Sequence, residues 1–432
     1  FPIILRISGS ERSDQGNTLE DMKNLVPELT AHGIDAFEIS GGTQYEQCNK
    51  IIPCHGEHQG LNVKEAKAIK KIASVPVIVV GKITDPDYAM QLVDNGLIDG
   101  VVLGRALLSD PDFVHKAEAG AFDSIAPCAA CGIGCVGEQT KRRPASCVIN
   151  PALGREKELV LRKTEKPKKA VVVGGGIGGM AAARALGLCG HQVTLFEQSD
   201  RLGGQMNVAC IPPHKQEVSR WIIYLKKELE ACGVSVHLNT EATAETLKAM
   251  APELLIIASG AKEIVPPIKG VEKETAITAQ MVLKNDTVIA GGNILVVGGG
   301  MVGCEVAETL IHQKRGPMAV TIIEMADEIG EGMVPNNKEP MLRRLKSLGV
   351  GLETGTKLEA VEGTDVTVNQ RGEVKTLKGF THIIYACGSK AENNLYTALE
   401  KTFPKVVCIG DANGPRQALE AVREGFEAAM TL

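Results

Sequence analysis

The sequence predicts an α/β protein made of the C-terminal half of a (β/α)8 barrel, a cysteine-rich loop and two nested Rossmann-like domains. Three observations predict this fold. Residues 1–125 alternate apolar strand-like runs with helical segments four times. Residues 127–151 carry four cysteines in the spacing C-x2-C-x3-C-x11-C. Two strand–GxGxxG–helix patterns then begin their glycine runs at Gly174 and Gly298.

Length and composition limit the class of protein. The 432 residues suffice for two to four domains, and 47 glycines suit an α/β chain with many tight turns. A net charge of −5 argues against nucleic-acid or anionic-membrane partners. No apolar run reaches the roughly 20 residues of a membrane span, and no signal peptide is visible. The chain starts at Phe1 inside a strand-like run, so we expect a fragment that lacks an N-terminal part.

The strands of residues 1–125 are continuously apolar and are joined by helices, which indicates a parallel sheet covered by helices. Four βα units cannot close a barrel, so the alternatives are a small doubly wound domain and half of a (β/α)8 barrel. Polar residues at strand ends, where barrel active sites lie, favour the half-barrel. These residues are Arg6, Ser8, Ser40, Lys82, Gly104 and Arg105.

The predicted fourth strand ends at Gly104 and Arg105, a position that binds phosphate in many barrels. A solvated strand-end charge is the alternative for Arg105. Arg6 and Lys82 are predicted to point into the same barrel mouth, where cations would suit the electron-rich edge of a reduced flavin. Structural ion pairs are the alternative for these two residues.

The four clustered cysteines are Cys128, Cys131, Cys135 and Cys147. Four thiolates hold either a cubane iron–sulfur cluster or a tetrahedral zinc ion. Zinc sites usually pair two short C-x2–4-C knuckles, whereas this loop has one compact triplet and one distant cysteine. The spacing therefore favours a 4Fe–4S cluster over zinc. Such a centre, and cysteines that look unpaired, indicate a reducing cytoplasm.

The first glycine pattern lies between a strand and an Ala-rich helix, and it consists of Gly174, Gly176 and Gly179. Glu197 ends the next strand, where an acidic residue accepts the ribose hydroxyls. The loop with Gly204 and Gln205 follows and could reach a flavin pyrophosphate. Asp411 ends a late strand, either to accept a ribityl hydroxyl or to cap a helix.

The second pattern consists of Gly298, Gly300 and Gly303, followed by Glu324 at the end of the next strand. Two such folds imply two nucleotides, typically FAD in the first and a nicotinamide in the second. A carboxylate at the ribose edge repels a 2′-phosphate, so Glu324 predicts NADH rather than NADPH.

The predicted domains follow from these patterns. The last strand belongs with the first nucleotide fold, so the second fold is inserted in the first. The boundaries are 1–125 for the partial barrel, 126–164 for the iron–sulfur loop and linker, 165–280 with 396–432 for FAD, and 281–395 for NAD(H).

The chain resembles the iron–sulfur flavoenzymes related to 2,4-dienoyl-CoA reductase, 2-enoate reductase and trimethylamine dehydrogenase. The resemblance rests on GKITDP (81–86), LGRALLSDPDF (103–113), PCAACGIGC (127–135), SCVINPALGREKE (146–158), GGQMNVA (203–209) and IGDA (409–412). It implies an Old Yellow Enzyme-like FMN barrel, FAD and NADH domains, and electrons passing from NADH through FAD and the cluster to FMN.

The resemblance also assigns residues. Arg6, Lys82, Gly104 and Arg105 would bind FMN, and the four cysteines would hold the cluster. The first glycine set, Glu197, Gly204, Gln205 and Asp411 would hold FAD, and the second set with Glu324 would hold NADH. Lys82 stands where the dienoyl-CoA reductases have Arg, and Tyr45 stands where they have a catalytic His. Tyr45 would donate a proton or hold a carbonyl oxygen, or it packs on the barrel rim; His55 and His58 lie in the same loop.

The predicted function is NADH-dependent reduction of the C=C bond of a small α,β-unsaturated acid or acyl-CoA ester. The alternatives are amine demethylation, which the 3% aromatic content disfavours, and electron transfer to a partner or free flavin. The chain as given is expected to reduce alkenes poorly but to oxidise NADH with dyes. The sequence does not define which alkene is reduced. It is compatible with a homo-oligomer.

Overall fold

The computed structural model describes residues 1–43, 46–313 and 315–430. The chain divides into two compact units. The first unit contains residues 1–154 and 334–340, and the second contains residues 155–333 and 341–432. Within the described part of the chain, no helix has the length and apolar character of a membrane span.

The first unit is built on one parallel sheet of four strands in the order β1-β2-β3-β4. The strands are β1 (Ile4–Ser8), β2 (Ala36–Ser40), β3 (Val77–Val80) and β4 (Gly100–Val102). The helices are α1 (Leu19–Ala31), α2 (Cys48–Ile51), α3 (Val63–Lys70), α4 (Pro86–Asp94), α5 (Arg105–Ser109), α6 (Phe113–Glu118) and α7 (Glu138–Thr140). The predicted half-barrel of four βα units is confirmed.

Local sequence explains where these helices begin. Thr18 caps α1, because its hydroxyl accepts the Asp21 N–H while the Asp21 carboxylate accepts the Thr18 N–H. Asp85 caps α4 by accepting the N–H groups of Asp87 and Tyr88, with Pro86 in the first turn. The short helix α5 was not predicted; it begins directly after Gly104.

The second unit contains the first nucleotide fold, a parallel sheet in the order β19-β8-β5-β6-β7. Its strands are β5 (Lys169–Val173), β6 (Gln192–Phe196), β7 (Ser235–His237), β8 (Leu254–Ile257) and β19 (Val406–Cys408). Its helices are α8 (Ile177–Leu188), α9 (Met206–Ala209), α10 (Glu217–Ala231), α11 (Ala244–Met250), α15 (Asn394–Leu399) and α16 (Ala418–Met430). Because β19 pairs with β8, the chain returns to this sheet after the second fold, and the predicted nesting is confirmed.

The second nucleotide fold has a parallel sheet in the order β10-β17-β11-β12-β13. Its strands are β10 (Ile277–Thr278), β11 (Gly292–Val297), β12 (Met318–Ile323), β13 (Gly351–Glu353) and β17 (His382–Tyr385). Its helices are α12 (Ala279–Lys284), α13 (Met301–Gln313) and α14 (Pro335–Ser347). An antiparallel sheet adds β14 (Thr356–Glu362), β15 (Asp365–Gln370) and β16 (Glu373–Leu377), and β9 (Ala261–Glu263) pairs with β18 (Ser389–Ala391).

The two faces of β11 are buried by different layers. Ile294 and Val296 pack among residues of α12, α13 and α14, whereas Leu295 and Val297 pack among residues of the antiparallel sheet, including Val366. A strand buried on both faces explains the continuous apolar run that precedes the second glycine pattern.

Truncation of Leu295 tests this packing. Leu295 is 0% exposed, so Leu295→Ala should lower the free energy of unfolding of the second unit by about 2–5 kcal/mol. Leu238→Ala is the matched control, because Leu238 is 38% exposed and should lose less than about 1 kcal/mol. Urea unfolding followed by far-UV circular dichroism measures both; equal losses would contradict the assignment of Leu295 to the core.

Candidate functional site

The first glycine cradle lies between β5 and α8. Gly174 has φ +108°, and a side chain there would meet the Ala258 carbonyl oxygen at 2.2 Å. A Cβ on Gly179 would lie 1.9 Å from the Gly174 oxygen. A Cβ on Gly176 would meet nothing within 4 Å. The first and third glycines are therefore needed for the turn and the helix–strand contact, and the second borders open space where a pyrophosphate fits.

A carboxylate and a second loop complete this cradle. Glu197 is buried and accepts the Gly175 N–H at 2.7 Å and the Ser199 N–H at 2.8 Å. The Gly203 N–H donates to the Gly175 oxygen at 2.8 Å, which holds the following loop against the glycine turn. Gln205 Nε2 donates to Asp411 Oδ2 at 3.1 Å. The structure thus brings together the residues predicted for FAD.

The second cradle repeats this geometry between β11 and α13. Gly298 has φ +107°, and a Cβ on Gly303 would lie 1.9 Å from its oxygen. A Cβ on Gly300 would again meet nothing within 4 Å. Glu324 accepts the Gly299 N–H at 2.7 Å. The residues predicted for the nicotinamide nucleotide therefore form one site of the same design.

The loop that completes the second cradle was missed by the sequence analysis. The Gly330 N–H donates to the Gly299 oxygen at 2.8 Å, as Gly203 does to Gly175 in the first cradle. The glycine spacing after each acidic residue differs between the two folds, so this equivalence was not visible in the sequence. Met325, beside Glu324, is 71% exposed at this edge.

The four predicted cysteines share one pocket in the first unit. Its volume is about 320 Å³, open solvent space included. The lining residues are Arg105, Leu108, Cys128, Ala129, Cys131, Gly132, Gly134, Cys135, Ser146, Cys147, Val148 and Ile149. All four cysteines line one cavity whose other walls are mostly apolar, which suits a thiolate-held cluster.

Backbone contacts close the cysteine loop. The Ser146 N–H donates to the Gly134 oxygen at 3.2 Å, and a Cβ on Gly134 would lie 2.3 Å from the Ser146 oxygen. This approach, possible only for glycine, joins the compact triplet to the segment that carries Cys147. Asn337 Nδ2 donates to the Cys131 oxygen at 2.8 Å. Asn337 lies about 200 residues away in sequence, so no sequence signal connected it with the loop.

The surroundings of the thiols suit ligands that ionise when metal binds. Burial raises the pKa of Cys147 to about 11, although N–H groups of Asn150 and Ile149 act to lower it. Burial likewise raises the pKa of Cys131 and Cys135. N–H groups directed at sulfur stabilise thiolates, so the donor set fits an iron–sulfur cluster.

Arg105 lies in this cysteine pocket. Its guanidinium donates to the Pro53 oxygen at 2.5 Å and lies 3.6 Å from the sulfur of Cys54. Burial acts to lower the pKa of Arg105, but nearby thiols, Cys54 first, outweigh it, so the pKa is raised and the charge persists. Cys54 is a fifth cysteine beside this pocket, and it is buried. It was not predicted as a site residue, because it stands apart from the four clustered cysteines in the sequence.

The other residues predicted for FMN have separate partners. Arg6 lies within β1 and pairs with Glu38 at 3.2 Å, the ion-pair alternative. Lys82, with φ +54°, is buried and donates to the carbonyl oxygens of Cys54 and Glu57. A Cβ on Gly104 would meet nothing within 4 Å. Tyr45, the predicted catalytic residue, lies outside the described residues.

Of the histidines in the same loop, His55 is half-buried and His58 is exposed, and Nδ1 of His58 lies 2.9 Å from the Gln59 oxygen.

Residues 168–425 match the pyridine nucleotide-disulphide oxidoreductase family, and residues 1–123 match the NADH:flavin oxidoreductase / NADH oxidase family. The chain belongs to the flavoenzymes that combine these two families. The predicted relationship to the 2-enoate reductase and amine dehydrogenase group is thereby confirmed. The prediction that the chain is an NAD(P)H-dependent oxidoreductase is confirmed as well. Flavin and nicotinamide nucleotides are the cofactors of both matched families.

Relatives of this flavoenzyme match it over its whole length. An NADH oxidase of Thermoanaerobacter brockii is 34% identical over 100% of the chain and 67% of its own length. A bilirubin reductase of Mediterraneibacter gnavus is 34% identical over 98% of the chain and 65% of its own. A cinnamate reductase of Clostridium sporogenes is 29% identical over 100% of the chain and 66% of its own length. The chain thus spans about two thirds of the length of these relatives.

Among solved structures, a 2-naphthoyl-CoA reductase in complex with 2-naphthoyl-CoA is similar to this flavoenzyme with a TM-score of 0.93. Its sequence is 27% identical, and the match covers 100% of this chain and 65% of that one.

The thiol of Cys387 offers a pH test of the second cradle. Burial, reinforced by the nearby Glu324 carboxylate, raises the pKa of Cys387 from 9.0 to about 11. Because the thiolate is the reactive form, we expect alkylation by iodoacetamide at pH 8 to be roughly tenfold or more slower than in urea-unfolded protein. The rate should keep rising up to about pH 11. Mass spectrometry of Cys387 measures it; equal folded and unfolded rates would contradict this burial.

Proposed function

We propose that this flavoenzyme uses NADH to reduce the C=C bond of a small α,β-unsaturated acid or of its acyl-CoA ester. The observation that carries the proposal is the presence, in one chain, of two nucleotide cradles, a four-thiol pocket and the βα units of a flavin barrel. Relatives named for the reduction of cinnamate and of 2-naphthoyl-CoA support this class of substrate.

The chain offers a set of residues for each cofactor. Gly174, Gly176, Gly179, Glu197, Gly204, Gln205 and Asp411 would hold FAD, and Gly298, Gly300, Gly303 and Glu324 would hold NADH. Lys82, Gly104 and Arg105 would hold FMN, and Cys128, Cys131, Cys135 and Cys147 would hold a 4Fe–4S cluster. When bound, the flavins supply hydride chemistry and the cluster supplies one-electron transfer between them.

Lys82, Arg105 and Tyr45 have defined tasks in this proposal. Lys82 and Arg105 follow β3 and β4, and their positive charges would stabilise an anionic cofactor or a carboxylate. Tyr45 would donate the proton that the α-carbon of the alkene receives.

The cytoplasm is the proposed compartment, since free cysteines and an iron–sulfur cluster suit a reducing environment.

Replacement of one cluster ligand tests the proposal. The natural polypeptide that contains these 432 residues is purified without oxygen, and its iron, zinc and flavin contents are measured. NADH oxidation is then followed with cinnamate, with an enoyl-CoA ester and with an artificial dye. We expect Cys131→Ser to lose iron and at least about 100-fold of alkene reduction while it keeps most dye reduction, because dye reduction needs only the two nucleotide cradles.

Cys48→Ser is the matched control, because Cys48 begins α2 and does not line the thiol pocket. It should keep both activities and its iron. If the purified protein contained zinc instead of iron, the proposed 4Fe–4S cluster would be rejected. NADH oxidation with dye or oxygen, but with no alkene tried, would favour the second candidate, an NADH oxidase-like electron-transfer enzyme, which the relationship to the T. brockii NADH oxidase supports.

Glu324 should select NADH over NADPH. Its carboxylate lies at the end of β12, and a 2′-phosphate there would meet a like charge. We expect Glu324→Gln to lower the ratio of kcat/KM for NADH to that for NADPH by about tenfold or more. Dye reduction measures both constants without involving the alkene site.

Glu353→Gln is the control for that experiment, because Glu353 ends the neighbouring β13 and its carboxylate accepts only the Gln370 side chain among the bonds described. The control should keep the wild-type ratio. A wild-type preference for NADPH would remove the role assigned to Glu324.

A further inference from the structure

Three potential metal ligands meet in the second unit, away from the glycine turns. Glu308 and His312 lie one helical turn apart on α13, and His214 lies in the loop before α10. One ligand atom from each lies within 4.8 Å of the others, and His312 Nε2 is 3.9 Å from Glu308 Oε1. The two imidazole rings meet edge to face, 6.3 Å apart. None of the three takes part in the proposed nucleotide binding.

The loop that carries His214 is fixed on α13 by a neighbouring contact. Lys215 Nζ donates to Glu305 Oε1 at 2.7 Å, and both side chains are buried. Glu305 lies one turn before Glu308, so this ion pair sets the register of the loop on the helix. His214 itself has φ +70°, a left-handed conformation that a non-glycine residue adopts only when its surroundings impose it.

Glu308 is oriented from its other side by α14. Its side chain is fully buried, and Arg344 donates to it from Nε at 2.5 Å and from Nη2 at 3.3 Å. Two carboxylate oxygens have about four lone-pair positions, so this bidentate contact leaves acceptor capacity toward the histidines. Partners of this kind commonly orient a metal-binding carboxylate.

The histidines supply partly accessible nitrogen donors. The neutral form of an imidazole is the one that binds metal. The side chain of His312 is 43% exposed, which leaves a path by which an ion could reach the three ligands.

We propose that His214, Glu308 and His312 bind a divalent transition-metal ion, with zinc as the natural candidate. Two imidazoles and one carboxylate suit zinc, whereas magnesium and calcium prefer all-oxygen sites. Zinc–ligand bonds of about 2.1 Å require the three atoms to approach by roughly 1 Å, which side-chain rotation provides. The ion would fasten the loop between α9 and α10 to helix α13 of the second nucleotide fold.

The test uses the holoenzyme with its thiol pocket already loaded, so that the cysteines do not compete. Co²⁺ is titrated as the probe, and binding is followed by its visible absorption and by metal content per chain. We expect one Co²⁺ ion per wild-type chain beyond the thiol pocket. His312→Gln and His214→Asn should weaken its binding by about tenfold or more; asparagine is chosen because it tolerates the left-handed backbone.

His115→Gln is the matched control. His115 is exposed and lies 3.6 Å from Glu118 on one helix, but among the described residues no second histidine joins them. This variant should bind Co²⁺ as the wild type does. Zn²⁺ should also raise the thermal unfolding midpoint of wild type but not of His312→Gln. Equal Co²⁺ affinity in all four proteins, or a visible spectrum showing thiolate ligation of the extra ion, would overturn the proposal.

Discussion

Each nucleotide cradle depends on the contact between the backbone oxygen of its first glycine and the third glycine. A Cβ added to Gly179 or Gly303 would lie only 1.9 Å from that oxygen. Neither residue can therefore carry a side chain unless the helix moves away from the strand. This contact sets where the helix begins and therefore where its free N–H groups point. The acidic residue after the next strand then accepts the N–H of the residue that follows the first glycine, Gly175 or Gly299, so strand, turn and neighbouring strand are held together.

The thiol pocket uses the same physical device for a different purpose. A Cβ on Gly134 would lie 2.3 Å from the Ser146 oxygen, so this contact also requires a glycine, as the 1.9 Å contacts of the cradles do. In the cradles the missing side chain lets the helix approach the strand, and in the pocket it lets two parts of a loop approach each other. Both kinds of site are therefore shaped mainly by the backbone, with thiols and carboxylates added at its edges.

The sequence was sufficient for features that are local. The glycine patterns, the acidic residues and the cysteine spacing each lie within one short segment, and a resemblance to known flavoenzymes placed them in order. Features that depend on distant residues were missed. Asn337 and Cys54 reach the thiol loop only through the fold, and nothing near Gly330 marks it as the counterpart of Gly203. Arg105 was predicted to be a functional residue, but its place beside the cysteines could not be predicted from its position in the sequence.

The hydrogen bond from Asn337 to the Cys131 carbonyl has a consequence for dissection of the gene. Residues 334–340 belong to the first unit, although most of the chain on either side of them belongs to the second. A stop codon after residue 154 would therefore remove one of the supports of the cysteine loop while leaving all four cysteines in place. A protease cut near residue 154, by contrast, would leave Asn337 present in the second of the two cleavage products, where it can still bind the cysteine loop.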